Sequence, residues 1–276
     1  LVPLHSNSID CSPHSNSISI CWRPNSSSLA VSTVDANVNN KALRRIRTYN
    51  RTTLQMLSVS KEEDGSGRDV PNLLPVPPTW APSGCSHYVG AIQSSRSIST
   101  KSARTRQVAM QVAFMEPNGL RHRECKIHNT VAAVSDKEDV IGVSFNLEGD
   151  LLAVTSMVTT HDAASNQQYQ YGKVQFYHSS NYHWYLKYEL RYDGNARTSS
   201  VVTNMKFSDE DPYRIVIALK QQQDGALEWR EYTFRWEAST VHYCDSHRLP
   251  TSSSVLAMTI DGKTLTDEQS ANTFQL

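Results

Sequence analysis

One short unit recurs along the chain and constrains its fold more than any other feature. Each copy is an alternating apolar strand with an aromatic residue, a polar turn and a second apolar strand. The aromatic residues are Trp22, Trp80, Phe145 and Phe207, so the copies lie 58, 65 and 62 positions apart. A fifth copy begins at 255–260 and turns at Asp261-Gly262, a dipeptide typical of tight hairpins.

Two more strand-like runs follow each hairpin. The third runs are 42–49, 108–114, 173–177 and 227–234, and the fourth runs are 54–59, 120–127, 184–190 and 241–244. Four-stranded antiparallel units in tandem are typical of β-propeller blades. The sequence therefore predicts an all-β, WD-repeat-like β-propeller of about four four-stranded blades plus a partial blade, as a fragment of a larger propeller whose ring is incomplete.

The repeat also predicts where the blades begin and end within one propeller region, 1–276. The predicted blades are 17–60, 76–128, 140–191 and 201–245, with a partial blade at 253–276. WD-type blades usually repeat every 40 to 45 or so residues. The excess length falls in polar inserts that we expect to be flexible, at 61–75, 94–107 and 159–171.

The four aromatic residues of the repeat are interpreted as core side chains. A buried aromatic ring removes roughly 150–250 Å² from water, and packing between blades needs such rings. Cys125, on an apparent strand, is interpreted in the same way as a packing residue. His122 and His183 are expected to make hydrogen bonds that fix strand ends.

Composition excludes few partners but does indicate a compartment. Lys plus Arg and Asp plus Glu are both 27, so net charge points to no class of ligand. The five cysteines form no Cys-x-x-Cys pair, which fits a reducing compartment: the cytoplasm, with the nucleus as a second location. No apolar run approaches the roughly 18 residues of a membrane span, so no membrane partner is expected.

Motifs that carry chemistry are missing from the sequence. It has no clustered Cys and His at zinc-site spacing, no Gly-x-Ser-x-Gly elbow and no phosphate-binding loop. An enzyme on a propeller is the rival hypothesis, because fold does not dictate function. The segment 259–265 comes nearest to a sialidase Asp box but lacks its spacing and its aromatic residue. We therefore predict no catalytic residue, no metal and no cofactor.

Two basic segments remain as candidate contact sites. Arg96, Lys101, Arg104 and Arg106 lie in a Ser-rich stretch without acids and are candidates for contact with RNA phosphates. A solvated loop is the alternative interpretation, since such polar composition favours disorder. The second cluster, at 41–47, lies on a predicted strand, where outward-pointing charges limit aggregation.

Two phrases between the hairpins carry a family resemblance. Phe114-Met-Glu-Pro-Asn-Gly-Leu-Arg-His122 and Asn181-Tyr-His-Trp-Tyr-Leu-Lys187 resemble phrases of the largest scaffold subunit of the Elongator complex, the IKAP family. Shorter matches follow in the same order over 18–265, among them Asp211-Pro-Tyr-Arg214. The chain departs from the family at Arg123, where Gly is usual, and at Phe145, where Trp is usual.

The resemblance implies a non-catalytic scaffold that supports carboxymethyl-type modification of tRNA wobble uridines. Its implied partners are the catalytic radical-SAM and acetyltransferase subunit and a WD-repeat subunit of Elongator. Self-association through regions outside this chain and indirect or weak contact with tRNA are implied as well. The alternative is a generic WD-repeat interaction module of another assembly, such as a coat or transport complex.

Overall fold

The structure is a computed structural model, and all the regular elements in the part of the chain that it describes are β-strands. The described residues are 18–23, 27–36, 41–59, 63–69, 78–82, 88–94, 109–116, 121–128, 137–161, 167–180, 183–194, 198–235, 240–248, 255–258, 264–267 and 273–275. No helix among these residues could cross a membrane. The chain divides into two compact units, Leu1–Ile127 and His128–Leu276.

The first unit contains two antiparallel sheets. The strands of the first sheet are β1 (Ile18–Trp22), β2 (Ser28–Ala36), β3 (Lys41–Asn50), β4 (Met56–Val59) and β5 (Glu63–Asp69). Strands β1 to β4 pair in chain order, and β5 pairs with the end of β3 that β4 leaves open. The second sheet, also in chain order, contains β6 (Thr79–Trp80), β7 (Tyr88–Ser94), β8 (Ala109–Met115) and β9 (Arg121–Lys126).

The second unit contains three antiparallel sheets, each in chain order. The third sheet has β10 (Lys137–Phe145), β11 (Leu151–His161), β12 (Gln168–Ser180) and β13 (His183–Arg191). The fourth has β14 (Ser200–Phe207), β15 (Arg214–Gln221), β16 (Leu227–Arg235) and β17 (Thr240–Arg248). The fifth has β18 (Val255–Met258), β19 (Thr264–Asp267) and β20 (Thr273–Gln275). The prediction of tandem four-stranded antiparallel units is therefore confirmed.

Apolar residues from the third and fourth sheets form one core. Its buried members are Leu151, Ala153, Val174, Phe176, Tyr192, Val202, Phe207, Ile215, Ile217, Leu219, Tyr232 and Phe234. The rings of Phe176 and Phe234 lie 4.4 Å apart between centroids. Gly172 permits the close approach of β12 to β14, because a Cβ there would lie 2.7 Å from the backbone nitrogen of Val202.

The aromatic residues of the repeat do not all play the predicted part. Trp80 and Phe207 are buried, as expected of core residues. Phe145 is partly exposed and packs against Trp184, with 5.9 Å between ring centroids. Trp22 contradicts the prediction, because about half of its side chain is exposed on β1. The sequence places all four at equivalent positions, but burial depends on which sheet faces each ring.

The turn between β10 and β11 shows why a polar sequence closes this hairpin. The Asn146 carboxamide oxygen accepts hydrogen bonds from the backbone nitrogens of Gly149 and Leu151, both at 3.0 Å. Its amide nitrogen donates to Asp150 at 2.7 Å. Gly149 has φ 76°, a backbone region that favours glycine. In the equivalent turn of the fourth sheet, Ser208 Oγ accepts from the backbone nitrogens of Glu210 and Asp211.

Two of the expected flexible inserts contain strand. The insert at 159–171 is largely the paired ends of β11 and β12, with Thr159 opposite Gln170 and His161 opposite Gln168. Polar Thr and Tyr residues are good strand formers, so their polarity was a poor sign of a loop. The insert at 61–75 contains β5, whose register sets Glu63 opposite Arg44. Most of the third insert, 94–107, lies outside the described residues.

A tyrosine connects the third and fourth sheets at one end. The Tyr213 hydroxyl donates to the carboxylates of Glu148 and Asp150, at 3.1 and 3.2 Å. Burial and the negative charge of Asp150, with hydrogen bonding to Glu148, raise the pKa of Tyr213 to about 12. The neutral phenol is therefore favoured in the folded state relative to the unfolded chain, where a tyrosine pKa is about 10.

Substitution of Tyr213 by Phe is expected to have an effect that depends on pH. The stabilising contribution of the phenol is complete below pH 10 and is lost as the pH rises towards 12. At pH 8 the variant should be less stable by roughly 1 kcal/mol, the usual net value of a hydrogen bond. The difference in free energy of unfolding between the unmodified chain and the variant should narrow or reverse above pH 10, as measured by urea unfolding of each. A difference in free energy of unfolding that stays constant from pH 8 to 11 would contradict the raised pKa of Tyr213.

Candidate interaction surface

One face of the first sheet exposes large apolar side chains. Ile20 and Trp22 on β1 and Met56 and Val59 on β4 are between 44% and 54% exposed. The register places them on the same face of the sheet. Trp22 pairs with Leu29, Leu29 with Tyr49 and Tyr49 with Met56, and such partners across a sheet share a face. We call these four exposed residues the apolar rim.

The opposite face of the same sheet packs on the second sheet. Ala30 and Ile46 form a buried cluster with Trp80 of β6. The Trp80 indole nitrogen donates to the backbone oxygen of Cys21 at 3.0 Å, and Arg23 lies 5.6 Å from the centre of its ring. The apolar rim is therefore on the side of the first sheet that faces away from the second.

Leu29, Val31 and Tyr49 lie at the centre of the rim-bearing face and form a small buried cluster. Among the apolar side chains of this face that the structure describes, the exposed ones lie on β1 and β4, on either side of this cluster. An apolar patch next to a packed centre is a common form of protein contact surface. This patch could not be predicted from the sequence, because the alternation that includes Ile20 and Trp22 also fits buried core residues.

A second notable feature is a buried polar network on one face of the third sheet. Lys173 on β12 forms an ion pair with Glu138 on β10, and both side chains are almost fully buried. Gln175 donates to the backbone oxygen of His128 at 2.7 Å, while the His128 nitrogen donates to the Tyr177 hydroxyl at 2.8 Å. These contacts hold the start of the second unit against β12. The side chains of Lys173, Glu138, Gln175 and Tyr177 are buried, so these contacts are shielded from water on the side of β12.

Little in the described residues suggests reaction chemistry. No group of three or more His, Cys, Asp and Glu residues among them is placed to hold a metal ion. Cys125 is buried, as predicted, and burial raises the pKa of its thiol to about 12. Since the thiolate is the nucleophile, Cys125 is protonated and unreactive near neutral pH.

The predicted contact residues cannot be placed. Arg96, Lys101, Arg104 and Arg106 lie outside the described residues. In the second basic cluster, Arg47 does not point outward as expected. It is buried and donates to Thr33 Oγ1 at 2.6 Å.

The structure describes only part of the two segments that resemble the family. Phe114 is buried on β8, while 117–120 lie outside the described residues, as does the side chain of His122. His183 begins β13 and is exposed, with its ring packed edge-on to Tyr185 at 6.3 Å between centroids. The expected hydrogen bond of His183 at the strand end is therefore not formed within the described part of the chain.

Comparison with known proteins identifies the family. The model of the family described as ELP1 first N-terminal beta-propeller matches residues 4–210. Elongator complex protein 1 of Schizosaccharomyces pombe is 28% identical over 180 residues, 65% of this chain. The proteins of the same name from Mus musculus and Saccharomyces cerevisiae are 30% and 29% identical, over 66% and 64% of the chain.

In each of these three relatives the aligned region is only 11% of the relative's length. Among solved structures, the tricorn protease superposes with a TM-score of 0.49 and 10% identity, over 94% of this chain and 25% of that chain. That similarity carries no conclusion about activity. The family match covers most of the chain and agrees with its tandem antiparallel sheets, so the chain belongs to the family of the first N-terminal β-propeller of Elongator complex protein 1.

Proposed function

We propose that this chain is a non-catalytic scaffold domain of the Elongator complex, which supports carboxymethyl-type modification of tRNA wobble uridines by positioning the catalytic subunit. Family membership supports the link with Elongator. The partners proposed are the radical-SAM and acetyltransferase subunit and a WD-repeat subunit, with tRNA contacted indirectly or weakly. We place the protein in the cytoplasm, with the nucleus as a second location.

The observation that carries this proposal is the apolar rim. Large apolar side chains that are half exposed on a rigid sheet offer a pre-formed contact surface, because interface backbones usually move little on binding. Trp is among the residues most often found at energetic hot spots, so Trp22 is the expected centre of the contact. A binding role needs such a surface and no catalytic group.

The test is retention of purified catalytic subunit by the immobilised chain. We expect the unmodified chain to retain the subunit, and a chain with Ile20→Ser and Trp22→Ser to bind it about tenfold more weakly. Leu147→Ser is the matched control, since Leu147 is also about half exposed but lies in a turn of the second unit. Its binding should equal that of the unmodified chain.

Three results would count against the proposal in different ways. A folded chain that retains neither the catalytic nor the WD-repeat subunit contradicts the Elongator role and favours a generic propeller module of another assembly. Equal binding by the rim variant and the unmodified chain contradicts the rim as the contact surface, and the scaffold role then has only family membership as its support. Hydrolytic activity or stoichiometric metal in the purified chain would instead support an enzyme.

A further inference from the structure

The first and fourth sheets share one strand register. In each sheet a row of four residues crosses from the first strand to the fourth, and each member pairs with the next. The rows are Trp22, Leu29, Tyr49 and Met56 in the first sheet and Phe207, Ile215, Tyr232 and Tyr243 in the fourth. In both sheets the pairing with the fourth strand is irregular just before the third member of the row. The two sheets can therefore be compared position by position.

In the fourth sheet, the third sheet covers the beginning of this row. Phe207 is 4% exposed and belongs to one core with Ala153 and Phe176 of the third sheet. Met205, two positions before Phe207, is partly buried against the same core. Tyr243, at the end of the row, is 56% exposed although its sheet is covered. A covering sheet thus buries the first strand of the row and leaves the side chain on the fourth strand in water.

In the first sheet the beginning of the row is exposed. Trp22 is 51% exposed and Ile20, which holds the position of Met205, is 54% exposed. Met56, at the end of the row, is 52% exposed, close to the value of its equivalent in the fourth sheet. The exposure on β4 is therefore normal for a covered sheet, whereas the exposure on β1 is what the lack of a cover would produce.

The second sheet shows which kind of element covers such an aromatic residue. Trp80 lies on the first strand of that sheet, is 6% exposed and forms a cluster with Ala30 and Ile46 of the first sheet. A fully buried alanine thus lies on the second strand of the sheet that covers Trp80, as Ala153 does in the sheet that covers Phe207. Because protein interiors are closely packed, the small side chain leaves room for the ring.

We propose that the apolar rim is covered by a β-sheet of the catalytic subunit, seated over β1 as the third sheet is seated over Phe207. The proposed function, on which this rests, places that subunit on the rim, and the packing of the chain's own sheets adds which element makes the contact. Sheets pack face to face about 10 Å apart with interdigitating side chains.

The rim-bearing face indicates the chemistry of the sheet that covers it. Arg47 on this face is buried and donates to Thr33 Oγ1, so its charge is not presented to a partner. The covering face is therefore apolar, with a small residue opposite Trp22, as Ala30 and Ala153 are for the equivalent rings. No helix covers a sheet among the residues that the structure describes.

Two substitutions at equally exposed positions separate a cover over β1 from a general apolar patch. Trp22→Ser should weaken binding of the purified catalytic subunit to the immobilised chain at least about tenfold, and Met56→Ser less than about twofold. The reason is that the equivalent of Met56, Tyr243, stays exposed under a covering sheet. Thermal melting by circular dichroism checks that each variant is folded, and Ile20→Ser replaces Trp22→Ser if the latter is not. Equal weakening at β1 and β4 overturns the placement over β1.

Photo-cross-linking identifies the covering element itself. Trp22 is replaced by the photoreactive amino acid benzoylphenylalanine, the complex with the catalytic subunit is irradiated, and mass spectrometry locates the residues that become joined. Since alternate residues of a strand share a face, we expect joined residues two positions apart on at least two segments of the subunit.

Other cross-linking patterns would contradict the proposal. Joined residues three or four positions apart, as on a helix, a single joined segment, or joining to a second copy of this chain overturns the covering sheet. If the unmodified chain retains no catalytic subunit at all, the proposed function fails as well. Retention of the subunit with helical spacing of the joined residues overturns the covering sheet alone.

Discussion

Replacing Phe176 by alanine is expected to lower the free energy of unfolding by about 3–5 kcal/mol. Phe176 is fully buried, and its ring packs against Phe234 across the two sheets of the main core. Its removal loses apolar burial and leaves a cavity that strands on both sides cannot collapse to fill. The measurement is urea unfolding followed by intrinsic tryptophan fluorescence, to which the buried Trp229 of the fourth sheet contributes.

Tyr188→Ala is the matched control, since Tyr188 is the register partner of Phe176 on the same face but is partly exposed. Tyr188→Ala should lower the free energy of unfolding by less than about 1 kcal/mol, because the Tyr188 ring already contacts water. Equal losses for the two variants would show that the inter-sheet core does not limit the stability of the second unit. The slope of free energy against urea should stay the same in both.

The second large effect is expected at the buried ion pair. Lys173→Met should destabilise the chain by about 3–5 kcal/mol, because it leaves the Glu138 carboxylate enclosed without its cation. The double variant Lys173→Met with Glu138→Leu should recover most of that loss, since apolar residues of similar volume often replace a buried pair without cost. Both are measured by the same urea unfolding as Phe176→Ala.

An exposed ion pair on the same sheet supplies the comparison. Arg191 pairs with Glu189, and the arginine side chain is more than one-third exposed. Arg191→Met should therefore cost less than about 1 kcal/mol. If the double variant at Lys173 and Glu138 is no more stable than Lys173→Met alone, the pair does not act as a unit and the loss arises from packing of the lysine chain.

The repeat made the fold readable from sequence. The alternation around Phe207 and Trp80 predicts strands with one core-facing side, and both rings are buried. The runs that follow the first four hairpins form the third and fourth strands of the first four sheets. These are local signals, since period-two alternation is written in consecutive residues.

The structural features that could not be predicted from the sequence depend on contacts between distant strands. Trp22 has the same sequence setting as Trp80, yet it is exposed because the face that carries it points away from the second sheet. Lys173 gives no sign in sequence that it meets Glu138, since the two lie on strands separated by a third. The predicted RNA-contact residues, Arg96 to Arg106, lie outside the described residues and stay a prediction.

The irregular register between β12 and β13 has an evolutionary consequence. Tyr185 and Tyr188 are an odd number of positions apart and would lie on opposite faces of a regular strand. The extra residue at Lys187 brings them to the same side. Loss or gain of one codon in this strand would separate the two rings while leaving both amino acids present. Among relatives, the length of this strand should therefore be a better guide to whether the two rings share a face than the identity of its residues.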